Sequence, residues 1–455
     1  MNTLHIGRVA IAASLLLLGC SGCGSGGDDG GGGLIHKDAE AVGDTTPGAS
    51  SVFSIYDVPA CGQAGIQTVA AAGGAKVAFA TLAATDKTVA CAIEGRAATA
   101  PVYDLCVVLP TATGFSGSIV ASPGYAARMG VGIALDRAGE PVLAYTGGPS
   151  AKLRCGASDM LTASVSGGQL GTPTTIAADS ASTGYPTDQA VSCAAQNVCN
   201  TGDATGYWPS IALDPASGNL GVAFRDLHFG FADTDFASSD VEFARGPGFG
   251  VYTVDVARGG GTYNRLAFTP TGKAAVAHYS LDYQPSVWLD WETAQGWQSQ
   301  KLFMGKISEG LGFGVSTQGL YALAYCDDAL KQLFYRESTD GSTWTTPEKV
   351  DWDGVTGLYP SLAFDDQGNP AIAYYRCGNS GVGGACDAKN DGLYLARRRS
   401  DGWDTRLISG DSGSLDGLYP ALAFVGGKAV IAFQSVIYDP VAKKSNMTLR
   451  VAKEM

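Results

Sequence analysis

From residue 51 onward the chain alternates short apolar runs with turns bearing Gly, Asn, Asp or Pro, and one local pattern returns seven times. An aliphatic residue is followed by Ala and then by an aromatic residue or His: Val77-Ala78-Phe79, Leu143-Ala144-Tyr145, Val222-Ala223-Phe224, Val276-Ala277-His278, Leu323-Ala324-Tyr325, Ile372-Ala373-Tyr374 and Ile431-Ala432-Phe433. Each copy closes a strand reached through a tight turn from an earlier apolar strand. The clearest cases are YPSLAFDDQGNPAIAYY (359–375), WPSIALDPASGNLGVAF (208–224) and YPALAFVGGKAVIAF (419–433). Turn residues of these types supply the backbone geometry that hairpins need. A second hairpin follows in most units, as in VWLDWETAQGWQSQKLF (287–303), LFYRESTDGSTWTTPEKV (333–350) and LYLARRRSDGWDTRLI (393–408). Two hairpins make one four-stranded antiparallel sheet, and the pattern predicts seven of them.

The intervals between markers suit repeat units of roughly 40 to 50 residues carrying insertions. The last unit offers a third strand in MTLRVAKEM (447–455) and no fourth, while SVFSIYDV (51–58) precedes the first hairpin without partners. The leading strand is therefore expected to complete the last sheet, which removes two exposed edges. Laid out this way, residues 51–455 resemble the β-propeller superfamily, and that resemblance implies an all-β, seven-bladed β-propeller of four-stranded antiparallel blades closed by the N-terminal strand. Ser338, Asp340, Gly341 and Trp344 in ESTDGSTWTTP (337–347) resemble the Asp-box hairpin of sialidase-like propellers, in a single copy one residue shorter than the usual spacing.

A chain of 455 residues exceeds the size at which one core stops growing, which suits a modular fold. The formal charge of −13 argues against a nucleic-acid partner, since phosphate binding needs a basic surface. Arg397-Arg398-Arg399, the one basic cluster, reads as a solvated strand edge.

Residues 1–19 have the layout of an export signal, with Arg8 ahead of the apolar run Val9 to Leu18, too short to span a bilayer. Leu17-Leu18-Gly19-Cys20 resembles the lipobox of bacterial lipoproteins, which implies cleavage before Cys20 and lipid on its sulfur. Ser21, rather than Asp, then implies sorting to the outer membrane. Residues 20–50 are Gly-rich and poor in apolar content, as a flexible tether would be. The expected localisation is an exported protein anchored by lipid to the outer membrane, periplasmic or surface-exposed.

The strand order sorts the connections onto two faces. Turns between strands 1 and 2, and between 3 and 4, are short and share the lower face. Connections from strand 2 to 3, and from blade to blade, share the upper face, and the long segments 110–130, 146–160, 179–206, 225–240 and 376–392 are assigned there. Ligand residues gather on loops held by a rigid scaffold. Ligand-binding candidates at blade openings are Tyr207, Trp208, Tyr263, Tyr359 and Tyr419, and those at strand 2 exits are Arg225, Asp226, His228, His278, Asp327, Asp328 and Arg376. Aromatics beside acids and Arg suit a sugar or a polar peptide. Against this stand tyrosines wedged between blades as scaffold, Arg225, Asp226 and Arg376 as loop-ordering ion pairs, and His278 as a structural histidine.

Catalytic motifs fare poorly. Gly410-Asp411-Ser412-Gly413 resembles the nucleophile segment of trypsin-like proteases, but none of His36, His228 and His278 lies in a matching segment to serve as base. Retaining sialidases use an arginine triad, a Tyr-Glu nucleophile pair and an Asp acid; Arg225 and Arg376 imitate two of the three arginines, and Asp226, Asp327 and Asp328 offer carboxylates. No cofactor and no zinc set is expected. Acid-rich turns at Asp233-Thr234-Asp235, Asp351-Trp352-Asp353-Gly354 and 387–392 offer oxygen ligands for Ca²⁺ without a complete known spacing.

Eleven cysteines in an exported chain point to disulfides. Cys377 with Cys386 would staple one loop, Cys193 with Cys199 or Cys155 another, and Cys91 and Cys106 lie on strands expected to pair; an odd count leaves one thiol over. The expected function is a recognition or scaffold module binding a glycan, peptide or envelope protein through the upper face, the alternative a sialidase-like hydrolase. Oligomeric state is left open.

Overall fold

The computed structural model describes residues 53–93, 96–121, 130–147, 158–178, 204–227, 239–255, 259–281, 284–377, 391–410, 414–439 and 441–455. They form seven antiparallel sheets, six of them with their strands in chain order from the inside outward. Blade 1 comprises Gln63–Gly73, Lys76–Ile93, Arg96–Thr111 and Gly114–Ala121. Blade 2 comprises Val131–Leu135, Pro141–Gly147, Asp159–Ser166 and Thr174–Ala178, with the short Gln169–Leu170 also on its third strand. Blade 3 is Ala204–Leu213, Leu220–Leu227, Ser239–Arg245 and Gly250–Thr253, and blade 4 is Thr262–Phe268, Ala274–Ser280, Ser286–Thr293 and Gly296–Met304. Blade 5 is Ile307–Val315, Tyr321–Asp327, Gln332–Ser338 and Glu348–Asp351, and blade 6 is Val355–Phe364, Pro370–Cys377, Gly392–Arg399 and Gly402–Ser409.

Blade 7 takes three strands from the end of the chain, Leu415–Val425, Lys428–Asp439 and Lys444–Glu454, and its fourth, Phe53–Asp57, from the beginning. The register runs from Phe53 opposite Glu454 to Asp57 opposite Arg450, where Arg450 Nε donates to Asp57 Oδ1 at 2.8 Å. Consecutive first strands touch all the way round, blade 7 against blade 1 included. The fold is a seven-bladed β-propeller.

There is no single core. The buried side chains fall into seven clusters, and each cluster is shared by two neighbouring blades. A second strand is covered on both faces by adjacent blades, so it reads as a continuous apolar run; Pro141–Gly147 and Ala274–Ser280 are buried at every position. This is why the marker is Ala. All seven marker alanines sit at the most crowded level of their blade, with exposures of 0%, where a methyl group fits and a larger side chain would force apart sheets that pack about 10 Å apart.

Three sequence expectations need revision. The segment 110–130 is not wholly an upper-face connection: Gly114–Ala121 is the fourth strand of blade 1, its turn at Ala112-Thr113 on the lower face, because Pro110 pairs with Phe115 and continues the ladder. Cys91 and Cys106 do lie on paired strands, but the register sets Cys106 against Thr81 and Cys91 against Ala98. Cys106 is instead bonded to Cys61, with Cα atoms 5.7 Å apart, and so ties the segment behind the closing strand to blade 1. The arginines 397–399 are not a solvated edge either, for Arg397 pairs with Glu454, Arg398 with Glu348 and Arg399 with Asp404. Cys377 is disulfide-bonded and Cys326 is a buried free thiol. The expected partners Cys155, Cys193, Cys199 and Cys386, the side chain of Cys91, the lipidation residue Cys20 and the tether all lie outside the described residues.

Candidate functional site

The first strand of each blade lines the central channel, and its opening end lies on the upper face. In six blades this strand carries a bulge against the second strand, seen as a register shift at Ile66/Val69, Tyr207/Ser210, Thr262/Arg265, Ser308/Leu311, Leu358/Ser361 and Leu418/Ala421. Within each bulge one non-glycine residue adopts a left-handed backbone: Gln67, Trp208, Tyr263, Glu309, Tyr359 and Tyr419, with φ between 45° and 57°. Such conformations are costly for bulky residues and persist where the surroundings over-determine them. Here the surroundings include a glycine two positions earlier in five of the six. At Gly417 an added Cβ would stand 2.6 Å from Leu393 Cα, and at Gly357 it would stand 2.7 Å from Leu333 Cβ, so the strand lies directly on the preceding blade.

Five of these six side chains, all but Gln67, meet one another. Trp208 and Tyr263 meet edge to face at 5.9 Å, and Tyr359 and Tyr419 lie 4.2 Å apart. Tyr359 is hydrogen-bonded both to Tyr419 and to Glu309, and Tyr263 is within electrostatic reach of Glu309 and Tyr419, so groups from blades 4, 5, 6 and 7 converge. Burial among these rings pushes the Glu309 carboxyl up to about 7 despite the Tyr359 hydroxyl beside it. Further along the strand, burial brings Arg265 down to about 10, its Nη1 donating to Asn264 O at 3.0 Å. The mouth is thus an aromatic collar holding one titratable acid, Glu309.

Four of the candidates, Trp208, Tyr263, Tyr359 and Tyr419, belong to this collar. Tyr207 does not: it is 3% exposed, and the register shift that follows it brings Trp208 into the collar instead. Arg225 and Asp226 are buried, Arg225 with its guanidinium 5.5 Å from the centre of the Trp208 ring. His278 is fully buried. Its Nε2 lies 2.8 Å from Asp290 Oδ2 and its Nδ1 accepts the Gly261 N–H at 3.1 Å. Burial alone would depress its basicity, but Asp290 and then Asp255 hold it above the ordinary histidine range.

Asp327 caps its own turn by accepting from Ala329 N and Leu330 N, and Asp328 accepts from Ser308 Oγ and Lys331 Nζ. Arg376 is spent on Asp353, lies 3.8 Å from Asp351 and covers the Tyr394 ring. Tyr374 also donates to Asp351 at 2.6 Å, which occupies two of the carboxylates considered for Ca²⁺. Among the described residues no group of three or more His, Cys, Asp or Glu side chains could hold a metal ion. His228, Asp233, Asp235, 387–390 and 411–413 lie outside them.

Gln67, Glu309 and Arg265 were missed by sequence reasoning. The signal for Gln67 was present, a glycine two residues before it as in blades 3, 4, 6 and 7; in blade 5 the glycine follows Glu309 instead, at Gly310. The Asp-box-like hairpin forms between strands 3 and 4 of blade 5, on the lower face. Asp340 Oδ1 accepts from Ser342 N and Thr343 N at 2.8 and 2.7 Å, and Trp344 Nε1 donates to Gly341 O at 3.0 Å.

No family model and no curated protein matches the chain. Among solved structures it is similar to a Hadza microbial sialidase, at 14% identity and a TM-score of 0.45 over 78% of this chain and 73% of that one. It is similar also to a protein of unknown function from Dyadobacter fermentans, at 10% identity and a TM-score of 0.43 over 71% of this chain and 94% of that one. The NanB sialidase of Streptococcus pneumoniae, in one complex, gives 12% identity and a TM-score of 0.42 over 91% of this chain and 70% of that one. Likenesses this distant carry no argument about what the chain does.

Proposed function

We propose that the chain is a recognition module, held at the outer membrane by a lipid on Cys20, that binds a glycan, a peptide or an envelope protein through the upper face of its propeller. The observation that carries this reading is the collar itself: Trp208, Tyr263, Tyr359 and Tyr419 gather at the opening ends of the first strands, each partly exposed, while the neighbouring acids Asp327, Asp328, Asp351 and Asp353 are committed to turns and ion pairs. Aromatic faces with a few convergent polar groups suit the C–H face of a sugar or an extended peptide. The test is a binding screen of the full chain against glycans and envelope proteins, repeated with Trp208→Ala plus Tyr359→Ala; binding unchanged in the double variant removes the collar from the reading. Labelled palmitate incorporated by the wild type and absent from Cys20→Ala tests the anchor.

One observation favours a hydrolase instead, the hydrogen bond between Tyr359 and Glu309, a Tyr-Glu pair at the mouth. Arg225 and Arg376 do not complete a carboxylate clamp beside it, the first lying buried under Trp208 and the second held by Asp353. Release of fluorophore from a fluorogenic sialoside, abolished in Glu309→Gln, would establish the hydrolase and displace the module.

A further inference from the structure

A second concave site lies on the opposite, lower face, at the outer rim of the seam between blades 3 and 4. It is an open cleft of about 400 Å³ lined by Phe243, Arg245, Gly246, Gly250, Tyr252, Glu292 and Trp297, a volume within the usual range for small-ligand pockets. Three of these side chains are aromatic. Phe243 and Trp297 meet edge to face at 5.1 Å, and Tyr252, opposite Phe243 in the ladder, is 62% exposed. The polar groups are Arg245 and Glu292, whose Nη2 and Oε2 are 2.6 Å apart. Arg245 Nε is buried without a hydrogen-bond partner among the described residues. Arg245 Nη2 also donates to Gly272 O, and Glu292 Oε2 also accepts the Ala274 N–H, so the fork is held from the blade 4 side.

The same fork recurs at the seam between blades 6 and 7, which serves as an internal control. There Arg397 pairs with Glu454, Glu454 accepts the Ala429 N–H at 2.8 Å, and the guanidinium lies 5.3 Å from the Phe424 ring centre, as Arg245 lies 5.1 Å from that of Phe268. Holding two blades together therefore explains the Arg–Glu pair at both seams. It does not explain what surrounds the pair at only one. Where blade 6 places Asp404 and Arg406, bonded to each other at 2.8 Å, blade 3 places Gly250 and Tyr252; where blade 7 places Phe53, blade 4 places Trp297. An ion pair has been replaced by a glycine and a tyrosine, and a phenyl ring by an indole that brings an N–H donor.

We propose that this cleft is a carbohydrate site taking one neutral pyranose ring. Trp297 and Tyr252 offer faces for the axial C–H groups, while Arg245 donates and Glu292 accepts, which matches a pair of vicinal hydroxyls. The charges of Arg245 and Glu292 cancel, so no unpaired cation is left to select an acidic sugar. The site is independent of the collar, being on the other face.

The test is saturation-transfer NMR on the full chain with a panel of methyl hexopyranosides and the matching uronic acids, followed by titrations monitored by tryptophan fluorescence. Binding of at least one neutral pyranoside in the millimolar range is expected, weakened about tenfold in Tyr252→Ala and at least as much in Trp297→Ala, and unchanged in Arg406→Ala at the seam between blades 6 and 7. Tyr252 is exposed, so its variant decides the matter should the Trp297 variant fold poorly. No binding by the wild type, binding retained in Tyr252→Ala, or preference for the uronic acids overturns the proposal.

Discussion

Removing the Cys61–Cys106 disulfide tests how the ring is held shut. The bond links positions 45 residues apart, joining the segment just behind the closing strand to the third strand of blade 1. On the loop-entropy account, closing a loop of that length stabilises the fold by about 4 kcal/mol. Packing adds to this, because the Cys61 sulfur stands where a Cβ on Gly117 would approach to 2.4 Å, and both cysteines lie in the cluster shared by blades 7 and 1. Truncation to a methyl group leaves a void there costing about 1 kcal/mol. Cys61→Ala plus Cys106→Ala is therefore expected to lose about 4 to 5 kcal/mol in guanidinium unfolding followed by tryptophan fluorescence. Variants are preferable to a reductant, which would also open the Cys377 bond; Cys326, its thiol pushed up to about 12 by burial, will not exchange into the gap. Hydrogen exchange across Phe53–Asp57 should accelerate in the variant, since the bond anchors that strand's exit. A loss under about 1 kcal/mol with unchanged exchange would refute the view that the bond clamps the closure.

Asp416 is 1% exposed and accepts from Ser409, Ser414, Ser435 and Arg450. Asp416→Ala should therefore cost about 3 to 5 kcal/mol by leaving Ser409, Ser414, Ser435 and Arg450 Nη1 without their acceptor, whereas Asp57→Ala, at the exposed end of the same arginine, should cost under about 1 kcal/mol in the same unfolding assay. Burial pushes the Asp255 carboxyl up to about 7. A carboxyl raised by folding contributes stability that is full below its unfolded pKa and lost as pH rises through the folded one, so stability should fall between about pH 4 and 7, and Asp255→Asn should remove up to about 1.4 kcal/mol per pH unit of that slope. Gly417→Ala combines a φ of +103° with a Cβ 2.6 Å from Leu393 Cα and should cost about 2 to 4 kcal/mol by thermal unfolding, where a neutral result would contradict the close approach of blades 6 and 7.

The architecture was legible because a ring of sheets repeats one burial problem. Each second strand is sandwiched by neighbours, so each shows the same aliphatic-Ala-aromatic signature, and the partnerless ends of the chain identify the closing pair. The site was legible only in part. Tyr359 and Tyr419 do meet in the collar, but Tyr207 was ranked with Trp208 although the bulge buries the first and leaves the second partly exposed. Bulges are backbone events whose trace is a glycine and a positive φ, and in blade 5 the glycine is displaced, which hid Glu309. Ion-pair partners were hidden for a different reason. Asp290 lies opposite Val276, diagonal to His278, and Arg376 meets Asp353 across blades 5 and 6, so both pairings depend on registers that a single sequence does not display.

The seam between blades 3 and 4 departs most from what ring closure alone requires. Among the described residues its apolar cluster is, with that between blades 5 and 6, the smallest of the seven, and polar groups run through it from end to end. Arg225, Asp255, His278 and Asp290 lie beneath the upper face and Arg245 with Glu292 at the lower rim. His278 takes the place of an aromatic marker and Asn264 the place held by Pro209, Pro360 and Pro420 in other blades. Buried charges rarely add stability over well-packed apolar residues, and the six other markers show that an aromatic ring at the His278 position is open to this backbone. A polar seam is therefore a concession made to something other than packing. Both proposed sites touch it, the collar through Trp208 and Tyr263 stacked edge to face across it, and the cleft through Arg245 and Trp297 facing each other from its two sides. Recognition by this propeller is thus best sought along one radial boundary, read from above and below, rather than evenly around the ring.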